Sequence, residues 1–367
     1  MSAPSNRSRT SNPAYCDLPA PTRIYIDLTH LGRHVTGLER VSIEQFEKVD
    51  FEAAEIHHVR AYGSVSMVLR QQVWLPILAL MNPRATFVFP GFPPSPIFAL
   101  MPARVVMYVH DLFLITRPAD LGTKARLYMA WPFALAVSRL RHFLVNSEKT
   151  AAELTPFARQ DASISLYRPS VRNVFSLEAR TRAADQRHEK RPLRLVSLGT
   201  VEPRKNYPAA VAILEALAGH GHPDAELHII GRPGWGDAAD AIAGHPRIKV
   251  HGYLPAEDVK RVLEDADVYL CTSHDEGLGL PLLEAQYAGL PIVAPDKPVF
   301  REVLGASGTF IETSAPDTAA MGIAEMTREP GWRERAASAA RTNVERWNAQ
   351  AASDATRARS MFARPLS

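Results

Sequence analysis

The chain has almost no cysteine: Cys16 and Cys271 are the two among its 367 residues. So far apart, they make neither a disulfide framework nor a short-spaced zinc site, and they suit a reducing compartment. A long apolar run is also lacking. The longest uncharged stretch, 85–103, contains Pro90, Pro93, Pro94, Pro96, Pro102 and Gly91, more breakers than a membrane-spanning helix accommodates. The opening MSAPSNRSRTSNPAYCD has no apolar core behind its arginines, so no secretory signal is expected and the cytoplasm is the expected compartment. Net charge is low as well, +3, too small to point to nucleic acid. A composition of 46% hydrophobic and 22% charged residues excludes disorder, collagen-like repeats and coiled coil. At 367 residues the chain exceeds what one hydrophobic core usually holds, which favours two domains.

The charge is unevenly placed. Residues 1–190 hold 23 Lys and Arg against 16 Asp and Glu, a balance of +7, while 191–367 hold 19 against 23, or −4. Two domains with different partners are implied, and anionic lipid and an anionic substrate are both candidates for the first. The apolar pattern also divides. After a polar tail, 1–22, a first block (23–178) opens with an apolar strand at 23–28. Thr36 and Glu39 have capping-box spacing, with Leu38, Val41, Phe46 and Val49 near one helical face. Strands are predicted at 85–90, 105–110 and 142–145, continuous apolar runs of the kind buried on both faces of a parallel sheet. A charged stretch, 179–192, reads as a linker. In the second block, 193–345, strands at 193–198, 226–230, 248–251, 268–272 and 291–294 alternate with helices near 207–219, 255–265 and 281–288. The final segment, 317–362, is predicted helical, its end (346–367) packing back on the first domain. Such alternation means parallel βαβ units. Two open sheets facing each other leave a cleft at the carboxyl ends of their strands, where ligands bind in this architecture.

Three strings fall at such ends. In Ser273-His-Asp-Glu-Gly-Leu-Gly-Leu-Pro-Leu-Leu-Glu284 a strand gives way to a loop with two glycines and then to a helix begun by Pro281. Glu276 sits in the loop and Glu284 near the helix start, placed to flank one bound molecule; the plainer reading is a solvated Glu276 and a Glu284 that complements the helix dipole. In Gly199-Thr-Val-Glu-Pro-Arg-Lys-Asn206, Arg204 and Lys205 make a cationic anion site with Asn206 as the expected N-cap, against the alternative of a solvated basic turn. Val109-His110-Asp111 ends an apolar strand of the first block, so His110 faces the same cleft, though a lone His there is more often structural than catalytic.

These strings resemble glycosyltransferase family 4, retaining enzymes of the GT-B fold. Gly252-Tyr-Leu254, Ala266-Asp-Val-Tyr-Leu-Cys-Thr-Ser273 and Arg346-Trp-Asn348 add to the resemblance, which is dense over 193–350. It is looser over 23–165, resting on Thr36-Gly-Leu-Glu-Arg40, His110-Asp111 and Val145-Asn-Ser-Glu148. The resemblance implies an α/β GT-B architecture with two Rossmann-like domains, and a retaining hexosyltransferase that uses a nucleotide sugar. It assigns Arg204 and Lys205 to the donor diphosphate, Glu284 to the ribose hydroxyls and Glu276 to the transferred sugar. It places Leu278, Gly279 and Leu280 against sugar and phosphate, Tyr253 and Leu254 at the base, Gly37 near the diphosphate, and His110 at the sugar from the opposite domain. Thr200 stands where many members have Arg; that variant resembles mannosyltransferase-like enzymes of bacterial surface polysaccharide assembly and leans towards GDP-mannose, with UDP- or dTDP-sugars as other donors. The implied acceptor is a glycan or lipid-linked saccharide. No metal or other cofactor is expected. Developing charge on the leaving nucleotide would be met by Arg204, Lys205 and the helix at Pro281, and no carboxylate is an obvious nucleophile of the glycosidase kind. Same-face attack assisted by the leaving phosphate is the family's picture, with a covalent route left open.

The competing functions are a GT-B nucleotide-sugar epimerase or hydrolase, and a non-catalytic GT-B partner subunit; intact Arg204, Lys205, Glu276 and Glu284 argue against the latter. Asp265-Ala-Asp267 spells a metal-binding Asp-x-Asp, but it lies where a helix hands over to a strand and reads as structural. Gly231-Arg-Pro-Gly-Trp-Gly236 has the wrong glycine order for a dinucleotide fingerprint and reads as a loop beside the nucleotide. His220 with His222, and His57 with His58, lack further ligands and read as surface residues. Residues 124–141 mix aromatic and basic side chains; a membrane-surface element is one reading and a core helix capped by arginines the preferred one. Peripheral contact with the inner face of the membrane therefore stays an expectation of the basic first half.

Overall fold

The computed structural model describes residues 22–31, 37–47, 54–117, 126–179, 191–234 and 237–362. Outside them lie the tail at 1–21, the Thr36 half of the capping box, and 180–190 of the linker. The described residues form two six-stranded sheets, parallel throughout. The first contains β1 (Thr22–Asp27), β2 (Ala54–Val59), β3 (Thr86–Phe89), β4 (Val105–Val109), β5 (His142–Val145) and β6 (Ser163–Leu166), in the order β2-β1-β3-β4-β5-β6. The second contains β7 (Arg194–Leu198), β8 (Glu226–Ile230), β9 (Ile248–Gly252), β10 (Val268–Leu270), β11 (Ile292–Pro295) and β12 (Gly308–Ile311), in the order β12-β11-β10-β7-β8-β9. The strand order reverses direction at β1/β3 in the first sheet and at β7/β10 in the second. Those two switch points are where a doubly wound sheet opens its crevice.

Side-chain alternation explains why the central strands are apolar throughout. In β4, Val105, Met107 and Val109 enter one core with Phe87, Phe89 and Phe143, while Val106 and Tyr108 enter the opposite one with Ile24, Ile26 and Leu144. In the second sheet Leu195, Val268 and Leu270 serve one face, and Val196, Tyr269 and Cys271 the other. Three strands were not expected from the sequence: β2, β6 and β12. All three are sheet edges, half covered and correspondingly mixed in polarity (Ala54-Glu-Ile-His-His-Val59 is the clearest case), so no unbroken apolar run marks them. A second correction concerns the C-terminus. The division at 345/346 falls inside a single helix, Trp332–Phe362, which starts on the second domain and ends with Ala358 and Phe362 in the core of the first.

That helix and the passage after β6 join the two sheets. Arg168, 5% exposed in its side chain, ion-pairs with Asp354 at 2.9 Å, Glu148 at 2.7 Å and Glu302 at 3.4 Å. Glu302 also accepts the backbone N–H groups of Glu148 (2.7 Å) and Lys149 (3.1 Å) across the domain boundary. Trp347, fully buried, donates its indole N–H to the Pro169 carbonyl at 2.9 Å. Asn348 both accepts from Val171 N (2.8 Å) and donates to Val171 O (3.1 Å). The Arg346-Trp-Asn348 string is thus a clamp on the chain that crosses between domains.

Trp347→Ala removes the largest fully buried side chain and orphans the Pro169 carbonyl. It should cost about 3–5 kcal/mol of stability, read as a fall in the midpoint of chemical denaturation.

Candidate active site

The loops after β7 and β10 meet at the switch point of the second sheet. Gly199, at φ +142°, turns the chain out of β7, and a short 3-10 turn, Pro203–Lys205, presents its two cations. Asn206 follows in the left-handed conformation at φ 52° and makes no side-chain cap to the helix Tyr207–Ala216, so its expected N-cap role is filled by backbone conformation only. The backbone of this turn is fastened to the neighbouring loop: His274 N donates to Arg204 O at 2.8 Å, and Thr272 Oγ1 to Lys205 O at 3.0 Å.

Glu276 is buried at the centre. Its carboxylate accepts from Lys205 Nζ at 2.6 Å, from Ser273 Oγ at 2.8 Å and from the Arg204 guanidinium. Burial alone would raise its pKa, but Lys205 and Arg204 outweigh burial and hold it at about 2. Arg204 is shared with Glu202 at 2.6 Å and the Asp275 carbonyl at 3.0 Å. Leu278 is buried in the core, and Gly279, at φ +86°, allows the turn into the helix Leu280–Ala285. Leu280 packs against cores of both domains. Glu284, on that helix, is buried; burial raises its pKa, while Arg40 from the opposing helix Gly37–Ser42 pairs with it and opposes the rise.

The first domain meets this loop directly. Gly277 passes so close to the end of β4 that a Cβ there would lie 2.8 Å from His110 O, which leaves no room for a side chain. Lys149 Nζ reaches Asp275 at 3.0 Å and the Glu276 carbonyl at 3.2 Å. His110 donates Nε2–H to the Pro90 carbonyl at 2.7 Å, and its own carbonyl accepts from Asn146 at 2.8 Å. Burial lowers its pKa to about 4, so the ring is neutral at pH 7. At the first sheet's switch point, His30 is 2% exposed and its ring fills the space a side chain at Gly91 would need, 2.3 Å from that virtual Cβ. Neither of its ring nitrogens has a hydrogen-bond partner among the described residues, and burial lowers its pKa to about 4.

The structure therefore brings together Arg204, Lys205 and Glu276, with the His110 carbonyl against the neighbouring Gly277, while Glu284 meets Arg40 on the helix that follows. Gly37 begins the helix that carries Arg40. Tyr253 and Leu254 lie apart from the charge cluster, past the end of β9; Tyr253 is 75% exposed with the Arg232 guanidinium 5.3 Å from its ring centre, and Leu254 packs on the core. Arg40, Lys149 and Ser273 carry no assignment in the sequence reading, although each stands in or beside a quoted string. Among the described residues no group of three or more His, Cys, Asp or Glu is placed to hold a metal ion. Asp267 is bound by Arg191 and Arg333, each at 3.0 Å, and Asp265 by Arg194, so the Asp-x-Asp pair serves the fold.

With this geometry in place, comparison with known proteins places the second domain. Residues 179–343 match the family described as glycosyl transferases group 1. The O-antigen chain mannosyltransferase B of Escherichia coli is 29% identical over 142 residues, 37% of either chain. A phosphatidyl-myo-inositol mannosyltransferase of Mycolicibacterium smegmatis is 35% identical over 137 residues, 34% of either chain. The chain thus spans little more than a third of these curated relatives' length. Solved structures extend the likeness in fold to nearly the whole chain, at low identity. WaaG, a glycosyltransferase involved in lipopolysaccharide biosynthesis, aligns with a TM-score of 0.63 at 14% identity, covering 93% of this chain and 99% of that one. A sucrose-phosphate synthase from Thermosynechococcus elongatus aligns with a TM-score of 0.66 at 14% identity over 93% and 99%. The architecture is GT-B, as the sequence led us to expect.

His30 and His110 have folded-state pKa values of about 4, below the ordinary 6.5. Protons therefore bind the unfolded chain first, and the stability these rings contribute is complete above pH 6.5 and lost as pH falls through about 4. The thermal midpoint should decline over that window, and less steeply in His30→Asn.

Proposed function

We propose that the protein is a retaining hexosyltransferase, with GDP-mannose as the favoured donor and a glycan or lipid-linked saccharide as acceptor, working at the cytoplasmic face of a membrane. The observation that carries this reading is the pair Arg204 and Lys205, held at the carboxyl end of β7 by bonds to their backbone carbonyls and matched in the resting site by Glu276, which meets both cations, and Glu202, which meets Arg204. A pyrophosphate presents more negative charge than Glu276 and takes over the two cations. The mannosyl preference is supported by the names of the matched relatives, mannosyltransferases in both cases quoted above. UDP-sugars are the alternative donors; a structural neighbour was solved in complex with UDP and glucose.

In this mechanism the bond between sugar C1 and the terminal phosphate oxygen breaks. The acceptor oxygen bonds to C1 on the same face, and its proton leaves on the departing phosphate. Arg204 and Lys205 stabilise the charge growing on that phosphate. Glu284 accepts hydrogen bonds from the ribose hydroxyls, and Arg40, its present partner, is at hand for the diphosphate from the other domain. Glu276, released from its cations, turns to the sugar hydroxyls. Neutral His110 offers its remaining ring nitrogen to the sugar from the far wall. No metal takes part in these steps.

Arg204→Ala and Lys205→Ala should each lower transfer on the order of a hundredfold or more while the protein stays folded; near-normal turnover in both would remove the proposed diphosphate site. Glu284→Ala should weaken donor binding by about 0.5–1.5 kcal/mol for each ribose hydrogen bond lost. A thermal-shift panel of GDP, UDP, dTDP and ADP sugars in EDTA tests donor and metal together. A ligand at a hundred times its Kd adds about 2.7 kcal/mol, and a shift with GDP-mannose alone is the expected result. A UDP-specific shift would discard the mannosyl preference, and a shift that needs added metal would discard metal-independence.

A further inference from the structure

The helical stretch Ser64–Met81, between β2 and β3, carries large apolar side chains on both its inner and outer sides, broken only by Ser64, Ser66, Arg70, Gln71 and Gln72. One stripe, with Met67, Leu75 and Ala79, is buried in the first domain. The opposite stripe faces water although it is equally apolar: Val65 is 75% exposed, Leu69 56%, Val73 50%, Leu80 72% and Met81 70%. Trp74 flanks it, 48% exposed. Tyr128 donates to Gln71 at 2.7 Å, so the segment 126–139 lies alongside, and its Trp131 is 59% exposed. The rest of that neighbour, Phe133, Ala136 and Val137, is buried, in keeping with the core-helix reading of 124–141. A soluble monomer rarely leaves so large a contiguous apolar face to water.

Charge says what covers this face. Between Glu55 and Asp111 the sequence has no Asp or Glu at all, but four arginines: Arg60, Arg70, Arg84 and Arg104. Arg104 caps the end of the helix through the carbonyls of Ala79 and Asn82, and Arg60 pairs with Glu47. Arg70, within the apolar stripe beside Leu69, and Arg84, just beyond its end, are both exposed. A second copy of this chain, docked through the same face, would set these arginines against themselves. An anionic bilayer meets both features at once, accepting the aliphatic side chains below the headgroups, the arginines among the phosphates and the two tryptophans at the boundary.

We propose that the face Val65–Met81, with Trp74 and Trp131, is a membrane-docking surface that seats the first domain on anionic lipid. The helix lies in the plane of the interface and does not span the bilayer, because its other stripe is part of the domain core. Docking concerns a surface away from Arg204, Lys205 and Glu276, and it does not depend on the transfer reaction proposed above.

Flotation of the full chain with vesicles of phosphatidylcholine alone, and of phosphatidylcholine with phosphatidylglycerol, reads the proposal directly. The parent should float with the anionic vesicles and far less with the neutral ones. Leu69→Glu combined with Leu80→Glu should reduce the bound fraction by about tenfold or more. Arg70→Gln with Arg84→Gln should lower binding to the anionic vesicles and remove its dependence on salt. All these positions are exposed, so the thermal midpoint and the nucleotide-induced shift should stay at parental values, which separates failure of docking from failure of the donor site. Equal flotation of the Glu variant and the parent, or no flotation of the parent, would overturn the proposal. So would a parent that sediments as a dimer which the Glu variant dissolves, for that result assigns the face to a second copy.

Discussion

A single buried cation decides whether there is a cleft at all. Arg168 sits on the chain between the two sheets and touches a carboxylate from each structure it must hold: Glu148 of the first domain, Glu302 of the second, and Asp354 of the helix that returns from one to the other. A surface ion pair contributes about 0–1 kcal/mol, which would leave the domains free to rotate. Stripping a partner from a buried charge costs about 3–5 kcal/mol, so this junction resists any arrangement that separates its parts. Trp347 and Asn348 bind the same crossing strand through its backbone and add direction to that resistance. The facing loops follow: once Glu302 holds the N-terminus of the helix Glu148–Leu154, Lys149 reaches Asp275 and the loop of Glu276 lies against His110.

Within the cleft, two kinds of bond have different tasks. The bonds to the Arg204 carbonyl from His274 N–H and to the Lys205 carbonyl from the Thr272 hydroxyl do not involve charge. They keep the cations in place. The ion pairs with Glu276 do involve charge, and on the proposed function they are what an anionic donor exchanges. A site built this way stays positive in shape while being nearly neutral at rest, which lessens the cost of burying Arg204 and Lys205 before any donor is bound. Arg40 and Glu284 repeat the arrangement across the domain boundary.

How much of this was legible in the sequence depended on burial. β4, β5, β7 and β10 are covered on both faces, so their side chains are apolar without interruption and the strands stand out; β2, β6 and β12 are edges and do not. The loop chemistry was legible too, since glycines, a proline and charged residues fall at strand ends in short strings. Contacts between distant strings were not. Arg40 meets Glu284 across 244 positions and Lys149 meets Asp275 across 126, and no periodicity encodes such a meeting. His30 is a similar case: its surroundings are made by Gly91, far along the chain, and an isolated histidine after a strand carries no mark of that. Asn206 misled for a local reason. Its residue type fits an N-cap, but after the tight 3-10 turn its backbone stands in the left-handed region, and its side chain makes no bond to the helix.

The same logic accounts for the helix Ser64–Met81, which the sequence hid by being apolar on both sides. A helix of a two-layered domain needs apolar residues on one stripe only, and the other stripe tends to gather charge because charge there costs nothing and keeps the surface soluble. Here Arg70 is the one charge on the outer side, and carboxylates are absent from the whole stretch 56–110, the part of the chain that surrounds it. Neither feature helps the first domain fold, since Met67, Leu75 and Ala79 already supply the packing. The arginine excess of the first half is therefore read as part of that face rather than of the cleft. The cleft's cations, Arg204 and Lys205, belong to the half whose net charge is negative. Each domain thus carries its own anion-directed surface, one suited to a flat interface and one to a small ligand, and the junction at Arg168 fixes how the two are presented to each other.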